Sequence, residues 1–202
     1  MNTSNEALDF LDISQLIANE RYWRDTYQWE KMRNAFHPES MVHVSWFKGS
    51  GFAFVEASKS LAKLVQSKHR LSPSRVRLNG ERSLVETDIM LEIRMRVADI
   101  EVDTTAHMRL LSRVRRDQGI WRLASMEGIF EKDVLVPVNP AEQIFIDAEE
   151  LRQYRPSYRF LCYLLSHMGR KQEINSDLPG DDKPELVTAL YAEAEDWLLN
   201  QR

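Results

Sequence analysis

The sequence predicts an α+β domain, and three observations carry that prediction. Four strand-like runs, residues 75–78, 83–97, 102–116 and 120–130, follow one another closely. Tight-turn strings join them at Asn79-Gly80 and Asp117-Gln118-Gly119, which makes an antiparallel sheet rather than a βαβ unit. Helical patterns precede this block and follow it, so helices and strands are segregated along the chain.

Taken in order, residues 1–8 are polar and predicted to fray. Asp9 or Asp12 offers a cap for a helix reaching about Phe36. His37-Pro38-Glu39-Ser40 should stop that helix, because proline disfavours helical geometry in the residue before it. Residues 41–46 read as a strand, with turn chemistry in Lys48-Gly49-Ser50-Gly51. Residues 52–66 read as a helix, with Phe54, Ala57 and Leu61 at helical spacing. After Pro137-Val138-Asn139-Pro140 the pattern turns helical over 141–153, 157–168 and 183–199, with Gly169 as a helix stop. Residues 1–140 are therefore expected to form the domain and 141–202 a helical extension packed on it.

Composition narrows the function classes. The chain has 202 residues, 43% hydrophobic and 29% charged, which suits a globular fold. The 27 basic and 31 acidic residues leave a net charge of −4, so neither nucleic acid nor an anionic membrane is an expected partner. No apolar run approaches the roughly 18–20 residues needed to cross a bilayer. The start, MNTSNEALDF, has neither the basic nor the apolar part of a signal peptide, so a cytoplasmic protein is expected. One cysteine, Cys162, excludes an internal disulfide framework. There is no GxSxG, P-loop, GxGxxG or HExxH string.

The first helix carries the sharpest signal. Ala18, Tyr22, Trp29, Met32 and Phe36 form a helical stripe, and Asp25 falls within it. A buried carboxylate must be paired or hydrogen-bonded. It is either a structural partner of a basic residue or a cavity-lining group that orients a histidine base. Five histidines are candidates: His37, His43, His69, His107 and His167. Each alone reads more simply as structural. His69 lies between the second helix and the sheet, and a side chain with a pKa near 6.5 is the natural base at neutral pH.

Several strings in order resemble a known family. Arg21-Tyr22-Trp23-Arg24-Asp25 with Gln28-Trp29 and Phe36-His37-Pro38, then Ser45-Trp46-Phe47, His69, Gly119-Ile120-Trp121-Arg122 and Phe130-Glu131-Lys132-Asp133 resemble the SnoaL-like branch of the nuclear-transport-factor-two-like superfamily. The resemblance implies a cone-shaped, curved sheet wrapped around helices and enclosing an apolar pocket, with no metal or organic cofactor. Scytalone dehydratase and hexachlorocyclohexane dehydrochlorinase are among such proteins. It also implies that His69 removes a proton from carbon while Asp25 orients it. Relative to scytalone dehydratase, a second histidine looks replaced by Asp88, polar strand residues by Met108 and Leu110, and a tyrosine by Trp46, so scytalone is not the expected substrate.

The leading expectation is thus a cofactor-independent lyase or isomerase for a small apolar, aromatic, polyketide-like or terpenoid-like molecule. Tyr22, Trp46, Asp88, His107 and Arg109 are the expected substrate-binding residues. Carbon–carbon cleavage is a rarer outcome on the same scaffold. Two alternatives remain: a non-catalytic binding or dimerisation module, and an epoxide hydrolase built on Asp25, Arg109 and Asp88. A homodimer or larger homo-oligomer is expected from the family.

Overall fold

This computed structural model describes residues 3–200. Two helices, α1 (Thr3–Asp25) and α2 (Trp29–Asn34), lead into β1 (Phe36–Val44), β2 (Phe47–Ser50) and α3 (Gly51–Leu61). Five strands follow: β3 (Gln66–Leu71), β4 (Arg75–Asn79), β5 (Arg82–Val97), β6 (Ile100–Asp117) and β7 (Ile120–Pro137). The chain ends with α4 (Ala148–Arg152), α5 (Arg159–His167) and α6 (Pro184–Leu199). All seven strands belong to one sheet ordered β2-β1-β7-β6-β5-β3, with β4 also paired to β5. Only β1 and β7 run parallel. The class is α+β with a mixed sheet, as predicted. Among the described residues no helix is long and apolar enough to cross a membrane.

The period-two alternation of β5, β6 and β7 separates two faces. On the inner face Val85, Ile89, Val102, Ala106, Met108, Leu110, Met126 and Phe130 join the main core, to which Ile13 and Ile17 of α1 and Phe54 of α3 also belong. On the outer face Leu84, Leu111 and Ile129 pack against Leu190, Ala194 and Leu198 of α6. Gly51 lets α3 lie close against β1. A Cβ there would sit 2.3 Å from Ser40 Oγ and 2.5 Å from a Phe36 ring carbon.

Several boundaries differ from expectation. The long first helix is two helices. α1 closes with Gln28 N–H donating to Trp23 O (2.8 Å) and Tyr27 N–H to Arg24 O (3.3 Å), and Tyr27 takes a left-handed φ of 62°. That is the geometry of a glycine-type helix stop, made here without glycine. The buried face of α1 is Ile13, Ile17, Glu20, Arg21 and Arg24, whereas Tyr22 is 57% exposed. Met32 and Phe36 are buried because they lie beyond the break. Residues predicted to fray are helical from Thr3, while residues 1 and 2 lie outside the described residues. Asp9 is no cap; it accepts hydrogen bonds from Arg116 and from Trp121 Nε1.

Phe36 to Ser40 belong to a strand, and residues 66–71 form β3 instead of a helix end. Pro38 is accommodated because β2 pairs only with Met41 to Val44 and the register with β7 shifts between Phe36 and Met41. β7 runs to Pro137, and α4 covers only five residues of the expected 141–153 helix.

Candidate active site

The break after Asp25 and the entry into β3 bring two short segments together. His69 Nδ1 lies 2.7 Å from Asp25 Oδ1, and the His69 backbone N–H donates to Asp25 Oδ2 (2.6 Å). Both carboxylate oxygens are thereby engaged by one residue. Lys68 Nζ donates to the Asp25 carbonyl at the end of α1 (2.6 Å), an acceptor that has no partner within the helix. Arg24 Nη1 donates to Ser67 Oγ (2.8 Å). Four neighbouring contacts therefore pin the end of α1 to the start of β3.

The side chains of His69 and Asp25 are only 6% and 10% exposed. Burial works against the charge on Asp25, but the hydrogen bonds and positive potential of His69 outweigh it and hold the carboxyl below its ordinary range. Burial drives the His69 imidazole well below 6.5, against the hydrogen bond that its ring N–H donates to Asp25, and the cations Arg24 and Arg21 push the same way as burial. The resting pair is thus a carboxylate and a neutral imidazole. With Nδ1–H donating to Asp25, Nε2 is left as the basic nitrogen.

His69 lines a cavity with Arg21, Arg24, Val44, Ser45, Trp46, Phe54, Ile89, Leu91, Met108, Leu110 and Phe130. A second chamber shares Arg24, Ser45, Trp46 and Leu91 with it and is closed by Leu161, Leu164, Leu165 and Met168 at α5 and the residue that follows it. Both are lined mainly by apolar side chains, the polar members being Arg21, Arg24, Ser45 and His69 in the first and Arg24, Ser45 and Ser67 in the second.

Of the expected substrate-binding residues, Trp46 lines both chambers. The other four do not reach them. Tyr22 lies on the exposed face of α1. Asp88, His107 and Arg109 point to the outer face, because strand alternation sends Ile89, Met108 and Leu110 inward. Asp88 pairs there with Arg75 (2.8 Å). Arg109 binds Glu131 (2.9 Å), Glu86 (3.1 Å) and Tyr191 of α6 (2.6 Å). The Asp25–Arg109–Asp88 set of the epoxide-hydrolase alternative is consequently not assembled. His37 contacts Arg115, His43 contacts Asp177, and His167 Nδ1 contacts the Tyr163 carbonyl, all away from these chambers. Cys162 is buried, and burial pushes its thiol up to about 12. Among the described residues no cluster of His, Cys, Asp and Glu suits a metal ion.

Sequence reasoning missed Arg24 and the Glu20–Arg21 pair. Arg21 is satisfied by Glu20 through two 2.5 Å contacts. Arg24 is not satisfied in that way. Helical spacing was the available signal: 13, 17, 20, 21 and 24 share a face, but three of those residues are charged and break the apolar stripe.

Comparison with known proteins matches the chain to a family. A family model described as a SnoaL-like domain matches residues 5–127. The chain belongs to the SnoaL-like domain family. Among curated relatives, pea pathogenicity protein 2 of Fusarium vanettenii is 29% identical, over 97% of this chain and 88% of that one. A solved structure named for scytalone dehydratase, from Novosphingobium aromaticivorans, superposes with a TM-score of 0.57 at 13% identity, covering 71% of this chain and 99% of the other. A type 2 hexachlorocyclohexane dehydrochlorinase gives a TM-score of 0.59 at 8% identity, covering 73% and 99%. At such identities the likeness is one of fold. In this SnoaL-like chain the matched region ends within β7, so α5 and α6 lie beyond it.

Proposed function

We propose that this SnoaL-like protein is a cofactor-independent lyase or isomerase that removes a proton from an activated carbon of a small, largely apolar substrate. One observation carries the reading: a buried Asp25–His69 pair whose histidine lines a largely apolar cavity. His69 Nε2 takes the proton, the C–H electron pair moves into the substrate, and Asp25 stabilises the imidazolium that forms. In a dehydration the C–O bond then breaks and the proton on Nε2 leaves with the hydroxyl as water. In an isomerisation the same proton returns at another carbon. Likeness in fold to a dehydrochlorinase and to a protein named for scytalone dehydratase supports the lyase form. The apolar lining supports an aromatic, polyketide-like or terpenoid-like skeleton.

Proton abstraction can be tested without knowing the natural substrate. A panel of β-hydroxy and β,γ-unsaturated aryl ketones is incubated with the protein in D₂O, and deuterium wash-in and elimination are followed by NMR. The wild type should accelerate one or both, and His69→Gln should lose about 10²–10⁴-fold of that rate. Equal rates in wild type and His69→Gln would remove the dyad from the mechanism.

A further inference from the structure

Arg24 is the less satisfied of the two cations, Arg21 and Arg24, that line these chambers. The whole residue is 8% exposed, its Nε is buried with no hydrogen-bond partner, and its one side-chain hydrogen bond among the described residues goes to Ser67. Its nearest carboxylate oxygen, Asp25 Oδ1, stands 3.7 Å from Nη1, beyond hydrogen-bond reach, and both Asp25 oxygens already serve His69. Arg113, Arg116, Arg159 and Arg170 also bury an unpartnered Nε; Arg113, Arg116 and Arg170 each hold a carboxylate through an Nη atom, and Arg159, at the start of α5, lines neither chamber. A buried guanidinium with open donors is costly unless something in the site completes it.

The position of Arg24 says what that is. It lines both chambers, with Trp46, Leu61, Val65, Leu91, Ile93 and Leu164 around it in the one that α5 closes. Ser67 Oγ accepts its hydrogen bond from Arg24, so the serine hydroxyl hydrogen remains free to donate into the same space. The arrangement offers several N–H donors and one O–H donor at the end of an apolar slot. A flat apolar body with one anionic oxygen-bearing group fits that chemistry.

We infer that Arg24, helped by Ser67, forms an anion subsite of the cavity, and that the ligand is an unsaturated or aromatic organic monoanion, a carboxylate, whose apolar body lies along Trp46 and Leu91. The inference deepens the proposed function by naming a substrate class, and it rests on that reading only in taking this cavity as the substrate site. A carboxylate seated there also neutralises the cation that works against protonation of His69, so ligand binding and base strength are coupled.

Binding of trans-cinnamate and of its neutral isostere cinnamamide, measured by calorimetry and Trp46 fluorescence, tests it directly. Wild type should prefer cinnamate by about tenfold or more, near 1.4 kcal/mol. Arg24→Gln should lose that preference while keeping cinnamamide affinity within about twofold, and Arg24→Lys should keep part of it. His69→Gln should keep the preference in full. Should Arg24→Gln fail to fold, the wild-type Arg24 Nε–H resonance gives the answer: it should shift with cinnamate and stay put with cinnamamide. Equal binding of the two probes, binding of neither, or a preference that survives Arg24→Gln overturns the subsite. The two readings part cleanly. Cinnamate preference without any proton-abstraction activity leaves the subsite standing and removes the lyase. Activity without preference does the reverse.

Discussion

The imidazole of His69 sits between opposing influences. Burial and the cations Arg24 and Arg21 hold it neutral, and Asp25 opposes them. Removing one contributor at a time therefore predicts opposite shifts, readable from the His69 ring nitrogens by NMR. Asp25→Asn should lower the His69 pKa further, and Arg24→Gln should raise it. A His69 that titrates unchanged in both variants would show that the pair is not coupled. The stability consequence has a definite sign. The folded-state pKa lies below the unfolded value, so the unfolded chain binds the extra proton, and stability falls as pH drops from about 7 toward the depressed folded value. Asp25 and His69 were legible in the sequence because residue type and family resemblance pointed to them together. Arg24 was not, since a charged residue beside a paired aspartate reads as solvated surface. Asp88, His107 and Arg109, expected to bind substrate, lie on the outer face, and residue type without strand parity carries no information on that.

Among the elements, α5 shows how the C-terminal segment is held over the sheet. Its N-terminus is capped from β7: Asp133 Oδ2 accepts the backbone N–H groups of Phe160 (2.7 Å) and Leu161 (2.9 Å). The other oxygen is buried without a partner, and burial pushes this carboxyl up to about 6 despite the two caps. Here the folded state holds the proton more tightly than the unfolded chain, so stability is lost as pH rises from about 4 through about 6. That is the reverse of the His69 slope over much the same range. Asp133→Asn should therefore steepen the loss of stability on acidification, and His69→Gln should flatten it, in urea titrations at pH 4, 5, 6 and 7. Parallel curves for Asp133→Asn and wild type would remove Asp133 as a titrating cap. The strands β4 to β7 were readable in advance because Asn79-Gly80 marks the turn from β4 to β5 and Gln118-Gly119 that from β6 to β7, while the β5–β6 turn is made by Ala98 and Asp99 at positive φ. The α1–α2 break and β3 were not. Tyr27 stops a helix without glycine, and Gln66 to Leu71 carries five charged or polar side chains that hide its alternation.

At the scale of the molecule, the sheet has two faces and each has its own cover. The inner cover, α5 with Leu161, Leu164 and Leu165, walls the cavity. The outer cover, α6, closes a separate apolar cluster and is tied down by Tyr191 to Arg109 and Glu86, and by Arg77 to Glu195 (2.6 Å). The fold class was visible in the sequence because it depends on element order. The division of labour between covers was not, because both helices are comparably apolar. It leads to a paired prediction. Leu164→Ala and Leu190→Ala each remove a buried leucine, 0% and 5% exposed, and each should cost about 2–5 kcal/mol of stability. Arg109→Ala should cost about 1–3 kcal/mol, since it leaves Glu86 and Glu131 facing each other without their shared cation. Only Leu164→Ala should change ligand affinity, because the space it opens adjoins Arg24 and Trp46. Leu190→Ala and Arg109→Ala should lower Tm and leave cinnamate binding within about twofold of wild type. An equal change in binding from the outer-face variants would mean that the sheet transmits strain from one face to the other, and that α6 takes part in shaping the site.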